Sequence, residues 1–140
     1  MEATKRHDSA ANQHLLVEAL QKKRLDPTVN TAFPGSTLRS DIALNTNGLV
    51  IFIDVSVAYD SPECMTEQFR RKISKYSVLQ GTTYPLIVGS LGSWLPSNDN
   101  IRAVLNIDGR SWGTFRRRAR VAALQGIIDR ESITEFNLKK

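Results

Sequence analysis

Runs of apolar and polar residues divide the chain into a helical start, a strand-rich middle and a helical end. The segment 49–57 is apolar on both faces, which predicts a central strand. Asn47 and Gly48 stand just before it, and this dipeptide between two β-rich runs is the strongest short-range signal for a tight hairpin. We therefore predict a partner strand over residues 38–44.

A helix is predicted directly after this hairpin. Asp60 or Ser61 can act as N-cap, and Pro62 suits the first turn. The helix should continue to about residue 80. Its apolar positions recur at spacings of three and four, so one face is expected to pack on the sheet. These positions are Met65, Phe69, Ile73 and Tyr76.

The remaining pattern completes a single α/β domain over residues 1–140. A mixed sheet of about four strands, flanked by helices, is the expected fold. The helix after the hairpin leads into another strand, and such a β-α-β unit should be parallel with a right-handed crossover. The other predicted elements are a first helix over 9–23, strands over 28–33 and 84–90, and final helices over 99–105 and 111–129.

Composition narrows the function classes. No apolar run approaches the roughly 18 residues that span a bilayer, so no membrane partner is expected. The polar start predicts no secretory leader. A single cysteine excludes an internal disulfide and a cysteine-based zinc cluster, and only two histidines are present. Oxygen-ligated Mg²⁺ or Mn²⁺ is the metal that this composition favours.

The net charge of +5 favours a polyanionic partner. Basic residues cluster over 21–24, over 70–72 and over 116–120. Clusters of this kind supply phosphate contacts that are insensitive to base sequence. DNA is therefore the expected partner.

Two acids stand inside the predicted hairpin strands. Asp54 interrupts an apolar strand, and a buried carboxylate must be paired, protonated or bound to a metal. Asp41 lies in the middle of the preceding strand, and the pleat allows both carboxylates to point to one face. A hard cation such as Mg²⁺ between them is the simplest explanation. On the following helix, Lys72 and Lys75 border the apolar face and could deliver an ammonium to the acids.

Several short motifs follow one another along the chain. They are His14 on the first helix, Arg39-Ser40-Asp41, Asp54-Val55-Ser56, Lys72-x-x-Lys75-Tyr76, and Tyr84 to Trp94 followed by Pro96 and Asn98. In this order they resemble the restriction-like endonuclease domain of site-specific non-LTR retrotransposons, a branch of the PD-(D/E)XK nuclease superfamily. The similarity spans roughly residues 12–130. The chain departs from the pattern at Ser40, where the family has proline, and at Ser56, where the superfamily has lysine.

The resemblance implies a restriction-endonuclease-like fold and a Mg²⁺- or Mn²⁺-dependent endonuclease that nicks duplex DNA. It implies catalytic roles for Asp41, Asp54, Tyr76 and one of Lys72 and Lys75. It implies that the Val55 carbonyl and Glu18 join the two acids as metal ligands. Expected nucleic-acid contacts are His14, Arg39, Arg71, Arg116, Arg117, Arg118 and Arg120.

Other readings stay open at this point. A Holliday-junction resolvase of the same superfamily would act on branched DNA. A catalytically dead nucleic-acid-binding module would keep only the basic surface, and a protein-interaction domain would leave Asp54 unexplained. The resemblance leaves open a stand-alone protein or a domain of a larger polyprotein with reverse transcriptase, and a monomer or a homodimer. A DNA substrate implies the nucleus.

Overall fold

A computed structural model describes the backbone of residues 2–32, 38–77 and 82–138, and the side chains of residues 9–30, 38–77 and 82–126. The fold is mixed α/β, with four strands and four α-helices in this part of the chain. A 3-10 turn at Pro96–Asn98 precedes the third helix. The elements are α1 (Glu2–Lys22), β1 (Thr28–Ala32), β2 (Arg39–Thr46), β3 (Leu49–Ala58), α2 (Pro62–Tyr76), β4 (Thr82–Gly89), α3 (Asp99–Leu105) and α4 (Gly109–Leu138).

The strands form one sheet in the order β1-β2-β3-β4. β2 is antiparallel to both β1 and β3, and β4 is parallel to β3. The predicted hairpin is confirmed: Thr46 lies opposite Leu49, and the φ angles of Asn47 and Gly48 are 52° and 81°. Two positive φ angles are those of a type I′ turn, whose twist matches that of the strands.

β3 is buried on both faces of the sheet from Ile51 to Ala58. Its odd-numbered residues, such as Ile53 and Val55, belong to the main core with α1, α3 and α4. Its even-numbered residues face α2, where Phe52 packs with Tyr76. Because side chains alternate along a strand, Asp54 also faces α2.

Helix α2 begins as predicted but ends earlier. Ser61 is the N-cap and accepts a hydrogen bond from the Cys64 N–H at 3.1 Å. The helix ends at Tyr76 rather than near residue 80, and residues 78–81 lie outside the described part of the chain. The prediction that Ile73 packs on the sheet is wrong, since its exposed fraction is 41%. At 100° per residue, Ile73 is about 80° around the helix from Met65, whereas Tyr76 is only about 20° away.

The outer helices are longer than predicted. α1 begins at Glu2 rather than near residue 9, and α4 runs from Gly109 to Leu138 rather than over 111–129. Leu16 and Leu20 of α1 are fully buried, as their spacing predicts. Within the described residues, every helix is too short or too polar to cross a membrane.

The segment after β4 packs on the core. The Trp94 ring makes edge contacts with Trp112 and Phe115, with centroids 5.9 and 6.1 Å away, and it packs against the main core. The side chain of Asn98 is fully buried and binds both backbone groups of Ile87 in β4, at 2.9 Å to the N–H and 2.8 Å to the carbonyl. This side chain therefore substitutes for a neighbouring strand at Ile87.

Candidate active-site cleft

Asp41 and Asp54 lie next to each other on neighbouring strands. The β2–β3 ladder pairs Ile42 with Ile53, and extending that register by one residue places Asp41 opposite Asp54. Opposite residues of an antiparallel pair project to the same face of the sheet. The predicted meeting of the two acids on one face is confirmed, because a hydrogen bond also joins their side chains.

The two strands separate at these acids. The ladder between β2 and β3 ends at Ile42 and Ile53, while β2 stays paired with β1 as far as Arg39. Beyond that point the backbone N–H of Val55 donates to Oδ2 of Asp41 at 2.8 Å. A side-chain carboxylate thus takes the place of a ladder carbonyl, because the separated strand no longer supplies one.

Lys72 of α2 provides the positive charge beside the acids. Its Nζ atom lies 2.6 Å from Oδ2 of Asp54, a distance for an ion pair, although the direction is not that of a hydrogen bond. The exposed fraction of the side chain is 20% for Lys72 and 6% for Asp54. The largely buried Asp54 carboxylate is therefore paired, as its position in an apolar strand requires.

Asp41 differs electrostatically from its neighbour. Burial, and then the negative charge of Asp54 and a hydrogen bond between the two side chains, raises the pKa of Asp41 from 3.8 to about 7. The Val55 N–H and the Lys72 ammonium act in the opposite direction but are weaker. Near neutral pH, Asp41 is therefore partly protonated, and the two carboxyl groups carry less than two negative charges.

Asp41 and Lys72 line one open cleft, here called the acid cleft, with a volume of about 410 Å³, and Asp54 lies beside it, paired with Lys72. It lies between α1 and α2, at the point where β2 leaves β3. Sequence reasoning missed most of its polar lining. In the sequence, Ser56 is only a departure from the family pattern, and Gln13, Asn30 and Gln68 carry no local motif. The polar side chains that line it are Ser9, Gln13, Asn30, Asp41, Ser56, Gln68 and Lys72.

Gln13 connects α1 to the acids. Its side-chain amide donates to the backbone carbonyl of Asp41 at 3.3 Å. The only sequence signal for it is a polar residue one helical turn before the buried stripe of Leu16 and Leu20.

Lys75 and Tyr76 occupy different positions from Lys72. The Nζ atom of Lys75 is exposed and lies 5.2 Å from the centre of the Tyr76 ring. The Tyr76 hydroxyl donates to the carbonyl of Arg39 at 3.2 Å. Burial, and then the negative charge of Asp54, raises the pKa of Tyr76, so its hydroxyl stays protonated. The structure therefore brings both Lys72 and the Tyr76 hydroxyl to Asp54, and leaves Lys75 exposed on the flank of α2.

The structure places Glu18 and His14 on the side of α1 that meets α4. Glu18 pairs with Arg118 through Oε2 at 3.2 Å, and its Oε1 atom lies 3.4 Å from Nε2 of His14. Neither residue is among the described residues that line the acid cleft. Val55 contacts Asp41 through its N–H, and its side chain lies in the main core.

The arginines of α4 are engaged mainly with the protein itself. Arg116 lies 5.4 Å from the Trp94 ring, Arg118 pairs with Glu18, and Arg120 donates to the Gly92 carbonyl at 2.6 Å. Arg117 is exposed and contacts Thr114 at 3.4 Å. In the described lining of the acid cleft, no α4 residue occurs.

Arg39 lies on β2, and Arg71 lies on α2. Arg39 donates to the carbonyl of Asn30 at 2.8 Å, so it braces β1 against β2. Arg71 pairs with Glu67 at 3.5 Å and, with Arg70, lines a second cavity of about 790 Å³. That cavity shares Val57 and Gln68 with the acid cleft, so Arg70 and Arg71 lie next to the acid cleft.

The oxygen atoms at the acid cleft suit a cation that keeps most of its bound waters. Among residues whose side chains are described, no group of three or more His, Cys, Asp or Glu is placed to hold a metal. Mg²⁺ is commonly bound through one or two carboxylates and keeps several waters. Asp41 and Asp54, with neutral oxygen donors beside them, fit that pattern, and a cation would replace the proton of Asp41.

Any assignment of a function to this chain rests on its fold and on this site, because comparisons with known proteins supply no relative. Neither a scan against protein-family models nor a search of curated proteins finds a match to this chain.

Proposed function

We propose that this chain is a metal-dependent endonuclease that hydrolyses phosphodiester bonds in DNA, with a restriction-endonuclease-like catalytic fold. The observation that carries the proposal is the meeting of Asp41, Asp54 and Lys72 beside one open cleft. Two carboxylates on adjacent strands and an ammonium from the following helix are the groups that the resemblance implies for such a nuclease. A DNA substrate would place the protein in the nucleus.

Each residue has a distinct task in this proposal. Asp41 and Asp54 would hold Mg²⁺ or Mn²⁺, which when bound lowers the pKa of a water and polarises the phosphate. Lys72 would stabilise negative charge that develops on the phosphate, and its pairing with Asp54 keeps the ammonium at the site beforehand. Gln13 fixes the backbone of Asp41.

Charge and shape support a polyanionic substrate. The net charge is +5, and Arg70 and Arg71 line the cavity that adjoins the acid cleft. Phosphate contacts by such arginines add affinity without reading bases. A DNA strand that enters the acid cleft would therefore pass the positively charged side chains of Arg70 and Arg71.

The test is nicking of supercoiled plasmid with Mn²⁺ or Mg²⁺, against EDTA. We compare the wild-type protein with Lys72→Ala, Asp54→Asn and, as a matched control on the same helix, Lys75→Ala. The proposal predicts that Lys72→Ala and Asp54→Asn lower the nicking rate about 100-fold or more, as removal of a charge-stabilising group does. Lys75→Ala should nick like the wild type, since Lys75 is exposed on the flank.

Equal nicking by the Lys72→Ala variant and the wild type would contradict the proposal. A four-way junction offered beside linear duplex, at equal concentration, separates a resolvase from a nicking enzyme. Faster cleavage of the junction would assign the resolvase.

A second candidate is a nucleic-acid-binding module without catalysis. The observation that favours it is that Lys72 already neutralises Asp54, and that the described side chains supply no third acidic or histidine ligand. This candidate predicts that wild type and Asp54→Asn bind DNA equally and that neither nicks it. Filter binding at two salt concentrations, alongside the plasmid assay, separates the two candidates.

A further inference from the structure

Asn30 lies beside Asp41 across the β1–β2 pair. The register pairs Val29 with Ile42 and Thr31 with Ser40, which leaves Asn30 opposite Asp41. Both side chains line the acid cleft. The neutral amide of Asn30 is thus placed next to the carboxylate that the proposed function assigns to the cation.

The backbone of Asn30 is unusual for the interior of a strand. Its φ angle is 51°, in the left-handed region that residues other than glycine rarely adopt, although asparagine tolerates it better than most. The guanidinium of Arg39 donates to the Asn30 carbonyl at 2.8 Å. Strained backbone of this kind tends to be retained at functional sites.

Ser56 supplies an independent sign of a missing ligand. Only 6% of the residue is exposed, yet its Oγ atom has no hydrogen-bond partner among the described residues. It lies two residues after Asp54 on the same face of β3 and lines the acid cleft. A buried hydroxyl without a partner is unfavourable, so a bound species or its water is expected beside it.

We infer that Asn30 and Ser56 complete the oxygen-donor set for the divalent cation, an inference that rests on the proposed nuclease function. The amide oxygen of Asn30 is a direct ligand, and the Ser56 hydroxyl hydrogen-bonds a water bound to the cation. A hard cation accepts carboxylate, amide and water oxygens together. A phosphate is the poorer occupant of this position between Asp41 and Asn30, because the carboxylate of Asp54 and the ionised fraction of Asp41 would repel it.

The experiment measures Mn²⁺ binding to the whole chain without DNA, by titration calorimetry and by the electron paramagnetic resonance signal of free Mn²⁺. Asn30→Gly removes the amide while glycine keeps the left-handed backbone. Asn47→Gly is the matched control, since Asn47 has a φ angle of 52° in the exposed hairpin turn. Asn30→Asp adds a negative charge, and Ser56→Ala removes the hydroxyl.

We expect Asn30→Gly to weaken Mn²⁺ binding about 10-fold or more, as loss of ligand-shell groups does. Ser56→Ala should weaken it less, Asn30→Asp should tighten it, and Asn47→Gly should leave it unchanged. Wild-type affinity in Asn30→Gly would overturn the inference. If Asn30→Gly does not fold, unchanged or weaker binding by Asn30→Asp would overturn it instead.

The same data separate this inference from the proposed function. If the wild-type protein binds Mn²⁺ and nicks plasmid, an Asn30→Gly variant that does both equally well overturns only the role of Asn30, and a Ser56→Ala variant that does both equally well overturns only the role of Ser56. A wild-type protein that binds no Mn²⁺ and nicks nothing overturns the inference and the proposed nuclease together.

Discussion

The ammonium of Lys72 and the carboxylate of Asp54 form a largely buried ion pair, with 2.6 Å between Nζ and Oδ2. This pair joins the centre of the sheet to α2. Removing one member leaves a buried charge without its partner, which costs much more than losing an exposed pair.

We expect Lys72→Met to lower the free energy of unfolding by about 3 kcal/mol, because it leaves the Asp54 carboxylate unpaired. The double variant Lys72→Met with Asp54→Asn should recover part of that loss. Urea denaturation monitored by circular dichroism measures both. Lys75→Met is the control and should change the free energy by less than about 0.5 kcal/mol. Equal effects of the two lysine substitutions would contradict the assigned importance of the pair.

The raised pKa of Asp41 predicts a specific dependence of stability on pH. Between its unfolded pKa of 3.8 and its folded pKa of about 7, the folded protein binds more protons at Asp41 than the unfolded chain does. The contribution of Asp41 to stability is therefore greatest below about pH 4 and falls as pH rises to 7.

Asp41→Asn removes this titration and keeps an acceptor for the Val55 N–H. In EDTA, the variant should gain stability relative to the wild type as pH rises from 5 to 8, by on the order of 1–2 kcal/mol after allowance for partial solvent exposure. Thermal unfolding across that pH range measures the difference. A difference that does not vary with pH would show that Asp41 titrates normally.

We expect a substitution at Asn98, away from the acid cleft, to lower the stability of the fold. Asn98→Ala leaves the N–H and the carbonyl of Ile87 without this partner in a buried position. A loss of about 2–4 kcal/mol follows from two buried backbone groups left unsatisfied. Asn100→Ala, at an exposed position in the next helix, is the control for urea denaturation and should be nearly neutral. If the two variants unfold at the same urea concentration, the Asn98 contacts do not stabilise the fold.

We expect substitutions at Gly89 and Asp60 to have coupled effects on stability, because the two residues meet at the end of β4. Asp60 accepts hydrogen bonds from the N–H groups of Leu91 and Ser93 at 2.8 and 3.1 Å, and a Cβ atom on Gly89 would collide with its carboxylate. Gly89→Ala should therefore destabilise the wild type by about 1–3 kcal/mol, as overpacking does. The penalty should shrink in an Asp60→Ala background. A double-mutant cycle measures the coupling, and strictly additive effects would refute the contact.

Much of the fold was accessible from the sequence because its signals are local. The Asn47–Gly48 turn requires positive φ at two positions, and few residue pairs other than Asn-Gly favour it. The turn fixes the register of β2 and β3, and the period of two along each strand then brings Asp41 and Asp54 to one face. The predictions differ from the structure at the ends of several elements and at Ile73 of α2. Whether Ile73 is buried depends on how the helix docks on the sheet.

The lysine of the site could not be chosen from sequence. Lys72 and Lys75 differ by about 60° around the helix axis, so either could face the sheet until the position of α2 is known. Likewise, the contacts of Arg116, Arg118 and Arg120 come from segments distant in the chain, and their clustering in sequence does not reveal them.

The sequence by itself determined the order of the elements, the hairpin and the pairing of two acids across it, because turn chemistry and strand period act over a few residues. Only the tertiary structure decided that Lys72 reaches Asp54, that Asn30 and Ser56 share the cleft with Asp41, and that Glu18 turns towards α4. These relationships depend on how helices dock on the sheet and where β2 separates from β3. Long-range packing sets that geometry, and no local pattern encodes it.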